Sequence, residues 1–143
     1  MAQSSAVFLD TSGWIAFLNK DDEWHEKALL LMEDIHQSGR TLVTTDSVLA
    51  ETGNGLARTP ARKLFVASVR SFQSSLGCRI ETVGPTLLED ALSLYEAAHD
   101  KTWGLIDCAS FVLMKREGMQ DAFTADRHFP AGGVQCASRV RLM

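Results

Sequence analysis

Apolar residues fall in short continuous runs in some stretches of the chain and at helical spacing in others. Ala6-Val7-Phe8-Leu9 is the first continuous run, and it stops abruptly at Asp10-Thr11-Ser12. A short run bounded by polar residues suits a strand buried on both faces, as at the centre of a parallel sheet. Gly13 to Asn19 then reads as a short, mostly buried helix, and Lys20-Asp21-Asp22 as a polar break. From Glu23 to Gln37, Ala28, Leu29, Leu31, Met32 and Ile35 lie near helical spacing, and Ser38-Gly39 ends the helix. Leu30 widens that stripe beyond what a core needs. Thr41 to Thr45 is a β-branched strand, with Asp46 or Ser47 placed to cap the next helix. Thr52-Gly53-Asn54-Gly55 weakens that helix, so a short or bent one is expected.

Thr59-Pro60 opens another helix, with Pro60 in its first turn. Leu64, Phe65, Val69, Phe72 and Leu76 give it an apolar face, and Gly77 closes it. Arg79 to Val83 is a third strand, less buried than the first. Gly84-Pro85 starts a helix through about His99, with Leu87, Leu88, Ala91, Leu94 and Tyr95 inward. Trp103 to Glu117 is a helix apolar on most sides, interrupted by Asp107 and Ser110, and ended by Gly118. Asp121 to Thr124 is a short strand running into Ala125-Asp126, and a weak strand is expected at 134–136. Strands alternating with helices imply a parallel sheet with right-handed crossovers.

The 143 residues, 45% of them hydrophobic, fit one globular domain over 1–143 with a real core. No apolar run is long enough to span a membrane. Met1-Ala2-Gln3-Ser4-Ser5 has neither the base nor the apolar segment of a signal peptide, so a cytoplasmic protein is expected. Cys78, Cys108 and Cys136 read as buried thiols, and His25, His36, His99 and His128 lack ligand-pair spacing. The net charge of −4 conceals an asymmetry. Residues 52–80 hold Arg58, Arg62, Lys63, Arg70 and Arg79 and no acid at all. That segment offers a track for a polyanion, or else a solvated helix face.

Four acids stand apart. Asp10 and Asp126 end apolar strands, Glu51 lies early in the helix after the second strand, and Asp107 opens an otherwise apolar helix. A carboxylate in such a setting is costly unless paired or metal-bound. In a doubly wound sheet all four positions fall on the carboxyl edge of the strands, where ligands bind. Taken singly, each has a plain alternative as turn, cap or surface residue. Together, four acids without Cys or His partners suit a hard cation, Mg²⁺ or Mn²⁺. An acidic metal site beside a basic track points to phosphodiester chemistry.

These residues also carry a family resemblance. Val7-Phe8-Leu9-Asp10-Thr11-Ser12, Thr44-Thr45-Asp46-Ser47-Val48-Leu49-Ala50-Glu51-Thr52, Trp103-Gly104-Leu105-Ile106-Asp107-Cys108-Ala109-Ser110-Phe111 and Ala122-Phe123-Thr124-Ala125-Asp126-Arg127-His128-Phe129 resemble PIN-domain ribonucleases, specifically VapC-like toxins. The resemblance spans nearly the whole chain. It implies an α/β fold, a three-layer α/β/α sandwich around a mostly parallel sheet of about five strands. It implies that Asp10, Glu51, Asp107 and Asp126 bind Mg²⁺ or Mn²⁺, and that RNA is cleaved by a metal-activated water. It further implies a homodimer and a cognate antitoxin protein that holds the toxin inactive. Thr11 and Ser12 match small polar residues beside the first acid, and Thr124 stands in the same relation to Asp126. Asp100 resembles a less constant acid of the family, with a plain connecting-loop aspartate as the alternative.

On this reading Asp10 and Asp107 are primary ligands, and Arg58, Arg62, Lys63 and Arg70 contact the RNA backbone. Apolar Trp14, Phe17, Trp24 and Leu30 are either a partner surface or core, with core favoured for Trp14 and Phe17. Two other classes compete. A non-cleaving RNA- or protein-binding module would leave the quartet idle. An aspartyl-phosphate phosphotransferase using Asp10 as nucleophile usually carries a second Asp two residues on, where this chain has Ser12.

Overall fold

A computed structural model describes residues 4–126 and Phe129. Its strands are β1 (Ser4–Leu9), β2 (Leu42–Thr45), β3 (Cys78–Glu81) and β4 (Met119–Phe123). All pair in parallel, in the order β3-β2-β1-β4. The apolar run that begins the chain is thus an inner strand, and Val7, Phe8 and Leu9 are almost wholly buried. The edge strand β3 is only partly covered, as its mixed sequence implied. The fifth strand expected at 134–136, and Cys136 with it, lie outside the described residues.

Six helices flank the sheet: α1 (Thr11–Leu18), α2 (His25–Gln37), α3 (Asp46–Leu56), α4 (Arg62–Ser74), α5 (Pro85–Ala97) and α6 (Leu105–Arg116). The first four pack among themselves, and α5 packs on α6. Successive side chains of β1 point to opposite faces, which feeds both layers. The Phe8 ring lies 6.1 Å from that of Phe129, which in turn meets Phe111 of α6 at 4.8 Å. Leu9 instead lines a cleft with Trp14, Met32 and Phe72, from α1, α2 and α4. This is the three-layer arrangement expected. None of the helices among the described residues is long and apolar enough to cross a membrane.

Several elements depart from expectation. Helix α3 runs for 11 residues straight through Gly53 and Gly55, where a short or bent helix was expected. A Cβ on Gly53 would stand 3.2 Å from the Phe65 ring, and one on Gly55 3.2 Å from Ile15 Cδ1. The glycines let α4 and α1 press onto α3, and that packing outweighs a propensity cost of about 1 kcal/mol each. Thr45 caps α3, its hydroxyl accepting from the Val48 N–H at 3.0 Å. Asp46 instead accepts from the Val83 N–H at 3.0 Å, tying α3 to the turn after β3. Helix α4 buries only Phe72 fully, while Leu64 and Leu76 are exposed. The helix ends at Ser74, which puts Leu76 outside its apolar phase. On α5, Leu87 and Ala91 are buried, whereas Leu88 and Tyr95 face outward. Trp14 is core, Phe17 and Trp24 pack at its margin, and Leu30 is 69% exposed.

Asp121 is buried within β4 and pairs with the Arg40 guanidinium, which also donates to the Ser5 carbonyl at 2.8 Å. This ion pair joins β1, β4 and the connection from α2 to β2.

Candidate active site

The site is built where β1 and β4 end. Asp10 follows β1 in extended conformation and stands at the N-cap of α1, yet its side chain makes no capping hydrogen bond. Its Oδ2 accepts from the Ser12 hydroxyl at 2.9 Å and the Thr124 hydroxyl at 2.8 Å. Each hydroxyl also accepts from a backbone N–H beyond β4. Ala125 donates to Ser12 at 2.8 Å and Asp126 to Thr124 at 2.9 Å. A hydroxyl has one proton, so with both protons aimed at an ionised Asp10 the 3.0 Å contact between the two oxygens carries none. The triplet therefore locks Asp10 between the first turn of α1 and the end of β4.

That closeness depends on Gly13. A Cβ there would lie 2.2 Å from the Phe123 carbonyl oxygen and 2.5 Å from its ring. Only glycine lets the first turn of α1 sit on the end of β4. In the sequence Gly13 is no more than a helix start, and its one signal is its place three residues after an acid that ends a strand.

Asp10 is 4% exposed. Burial pushes its pKa up to about 6, against the lowering pull of the Thr124 and Ser12 hydroxyls, and Asp107 raises it further. Asp107 stands at the third position of α6 and accepts from the Gly104 N–H at 3.0 Å. This is half a capping box, since glycine has no side chain to return the bond. The plain capping role foreseen for Asp107 is therefore filled. Its pKa is nevertheless raised, by burial first and then by Asp126 and Glu51, against the Gly104 bond. Glu51 reaches the same place from α3, where the Thr11 hydroxyl donates to it. All four acids thus share one electrostatic neighbourhood, held by the ends of β1 and β4, the middle of α3 and the beginning of α6.

Four carboxylates and no soft ligand fit a hard divalent cation in chemistry. Among the described residues no three acidic, His or Cys side chains yet stand close enough to share an ion. Ser12 bonds the Asp10 carboxylate, as expected of a small polar residue beside it. Thr11, expected to serve Asp10 as well, donates instead to Glu51. Thr124, expected to serve Asp126, donates to Asp10 and accepts from the Asp126 N–H. Asp100 lies in the exposed connection before α6, with Lys101 Nζ at 3.8 Å. It is not among the groups that shift Asp107 or Asp10.

Arg58, Arg62, Lys63 and Arg70 are all exposed. Lys63 and Arg70 share the face of α4 opposite Phe72, with Arg62 on its flank. Among the described residues none of the four forms an ion pair. Arg79 differs, being committed to Glu81 and Glu117.

Residues 7–133 match the family model described as PIN domain. The chain belongs to the PIN-domain family. It is similar to the protein named 23S rRNA-specific endonuclease VapC20 of Mycobacterium tuberculosis, in strains CDC 1551 / Oshkosh and ATCC 25618 / H37Rv. The identity is 30% over 127 residues, covering 89% of this chain and 94% of the relative. The crystal structure of M. tuberculosis VapC20, described as a sarcin-ricin loop cleaving toxin, superposes with a TM-score of 0.77 at 29% identity. That match covers 90% of this chain and 95% of the solved one. This chain is therefore a VapC-like PIN-domain protein, and its acidic edge is the place to look for the family's chemistry.

Proposed function

We propose that this protein is an endoribonuclease, the toxin of a toxin–antitoxin pair, cutting RNA phosphodiester bonds at Asp10, Glu51, Asp107 and Asp126. The observation that carries this is the buried Asp10 carboxylate with Asp107 near enough to act on it, and Glu51 and Asp126 near enough to act on Asp107. The similarity to a named 23S rRNA endonuclease makes ribosomal RNA the first substrate to offer. Asp10 and Asp107 would hold Mg²⁺ or Mn²⁺, with Glu51 and Asp126 completing the site. Such an ion, when bound, supplies a water of lowered pKa and charge stabilisation on the phosphate.

The chain's own residues supply orientation. Ser12 and Thr124 fix the rotation of Asp10 by occupying Oδ2. Thr11 holds Glu51 and the Gly104 N–H holds Asp107, so three acids are anchored before any ligand arrives. Arg58, Arg62, Lys63 and Arg70 would neutralise the RNA backbone along α3–α4. A cytoplasmic location, a homodimer and a cognate antitoxin complete the proposal, as family membership suggests.

The test is cleavage of a cellular RNA pool containing intact ribosomal RNA by purified, antitoxin-free protein. Mg²⁺, Mn²⁺ and chelator are compared, beside Asp107→Asn. Discrete metal-dependent cuts absent from the variant are expected. Metal binding without any cutting would instead support a binding module, and cuts that persist in Asp107→Asn would place the chemistry elsewhere.

A further inference from the structure

The connection that delivers Asp107 to the site also forms a cleft of its own. It holds about 420 Å³ and is lined by Tyr95, Glu96, His99, Lys101, Thr102 and Trp103, together with Ala98. That volume lies within the range of small-ligand sites. Two of its walls are aromatic and differ in character. Trp103 is half-buried, edge-on to Phe111 at 5.2 Å, and packed on the cluster of Ala91, Cys108 and Ala109. It is therefore a fixed platform. Tyr95, at the last turn of α5, is 51% exposed, more than an aromatic ring usually is without a partner. His99 and Lys101 are exposed beside them.

Trp103 leads directly into Gly104, whose N–H is held by the Asp107 carboxylate. The cleft is thus one hydrogen bond and four residues from an acid of the nuclease site. A pair of aromatic rings with a lysine and an imidazole at the rim is a composition that suits an unpaired base, the rings stacking on it and the rim donors meeting its phosphate. Glu96 offers an acceptor to amino or imino groups on the base edge.

We propose that this cleft receives one unpaired nucleobase of the RNA substrate, next to the phosphate being cut. The base stacks between Tyr95 and Trp103, with His99 and Lys101 on its sugar–phosphate. The inference rests on the ribonuclease reading for the identity of the ligand, but the cleft can be tested apart from cleavage. It gives Tyr95 and Trp103 a part in choosing the cut site, separate from the basic residues of α4, which follow backbone alone.

Two measurements test it on the full chain. In the first, nucleoside 5′-monophosphates are titrated in chelator while amide chemical shifts are followed, with ribose 5-phosphate as control. Shifts concentrated in 95–103, absent with the control and weakened at least fivefold by Tyr95→Ala, are expected. No shift there, or shifts unchanged in the variant, would overturn the proposal. In the second, kcat/KM is compared on a cleaved oligonucleotide and on copies abasic at each position beside the cut. One abasic position should cost the wild type about tenfold, matching the energy of one stacked base. Tyr95→Ala should lose that discrimination and Tyr95→Phe retain it. Equal cleavage and equal discrimination by all three proteins would refute the base pocket while leaving the nuclease standing. Base binding at 95–103 by a protein that cuts nothing would do the reverse.

Discussion

Asp10 should make the ion-free protein less stable, and removing its charge should show by how much. Its pKa rises from 3.8 to about 6 on folding, chiefly through burial. The folded state therefore holds this proton more tightly than the unfolded chain does. Below about pH 3 both states keep it and the group is neutral to stability. As pH climbs from about 3 to beyond 6, the unfolded chain is the first to release it and stability falls. Above that window the full difference is lost, about 3 kcal/mol at 1.36 kcal/mol per unit. Asp10→Asn keeps an acceptor for the Ser12 and Thr124 hydroxyls and carries no charge. At pH 8 in chelator it should be more stable than wild type by up to about 3 kcal/mol. With a urea m-value of about 2 kcal/mol/M, the midpoint moves up by roughly 1.5 M. At pH 4.5 the gap should shrink to about a third of that, roughly 1 kcal/mol. Mg²⁺ should raise the wild-type midpoint at pH 8, by binding the folded state alone, and leave Asp10→Asn nearly unmoved. The reasoning fails if Asp10→Asn is no more stable than wild type at pH 8. It also fails if the difference is the same at both pH values, because then packing and not charge separates the two proteins.

The remaining predictions concern what surrounds that carboxylate. Gly13→Ala should cost about 3 kcal/mol in urea unfolding, the upper end for overpacking, because its methyl meets the Phe123 carbonyl at 2.2 Å. Ser12→Ala removes a donor that lowers the pKa of Asp10, so the acid limb of the cleavage pH profile should move up by about one unit. Replacing Arg58, Arg62, Lys63 and Arg70 by Ala should leave the fold intact and flatten the slope of log Kd against log salt by about 3, at roughly 0.7 per lost phosphate contact; an unchanged slope would mean a solvated face only. Arg40→Met removes the guanidinium that pairs with the buried Asp121 carboxylate and should cost about 2 kcal/mol in unfolding, with kcat/KM unchanged at temperatures where the variant stays folded.

Much of this arrangement was readable from the chain, and the parts that were not share a cause. The inner strand announced itself because Ala6-Val7-Phe8-Leu9 is apolar on both faces, and the acid ending it falls at the sheet's carboxyl edge by topology alone. Asp107 and Asp126 were visible in the same way, as charges interrupting apolar segments. What a one-dimensional pattern could not supply was anything set by contact between distant segments. Helix α3 survives two glycines because Phe65 and Ile15 press on it, and neither residue is near it in sequence. Leu64 and Leu76 looked inward by spacing, but α4 covers only part of its apolar face against the sheet. Thr45 caps α3 where Asp46 or Ser47 was expected to, and the Val83 N–H, 37 residues on, binds the Asp46 carboxylate.

Gly13 shows how these two kinds of information meet in the site itself. Locally it is a poor helix residue one turn into α1. Its value appears only when β4 lies beside β1, because then a side chain at 13 would strike Phe123. With glycine there, the chain brings Ser12 to Thr124 and both hydroxyls to Asp10. The same approach buries Asp10 and raises its pKa, so the residue that completes the site also makes the ion-free site unfavourable. A fold selected for stability alone would replace Asp10 with an uncharged residue. The charge on Asp10 therefore costs the fold stability at neutral pH, and under the proposed function a bound cation is what offsets that cost.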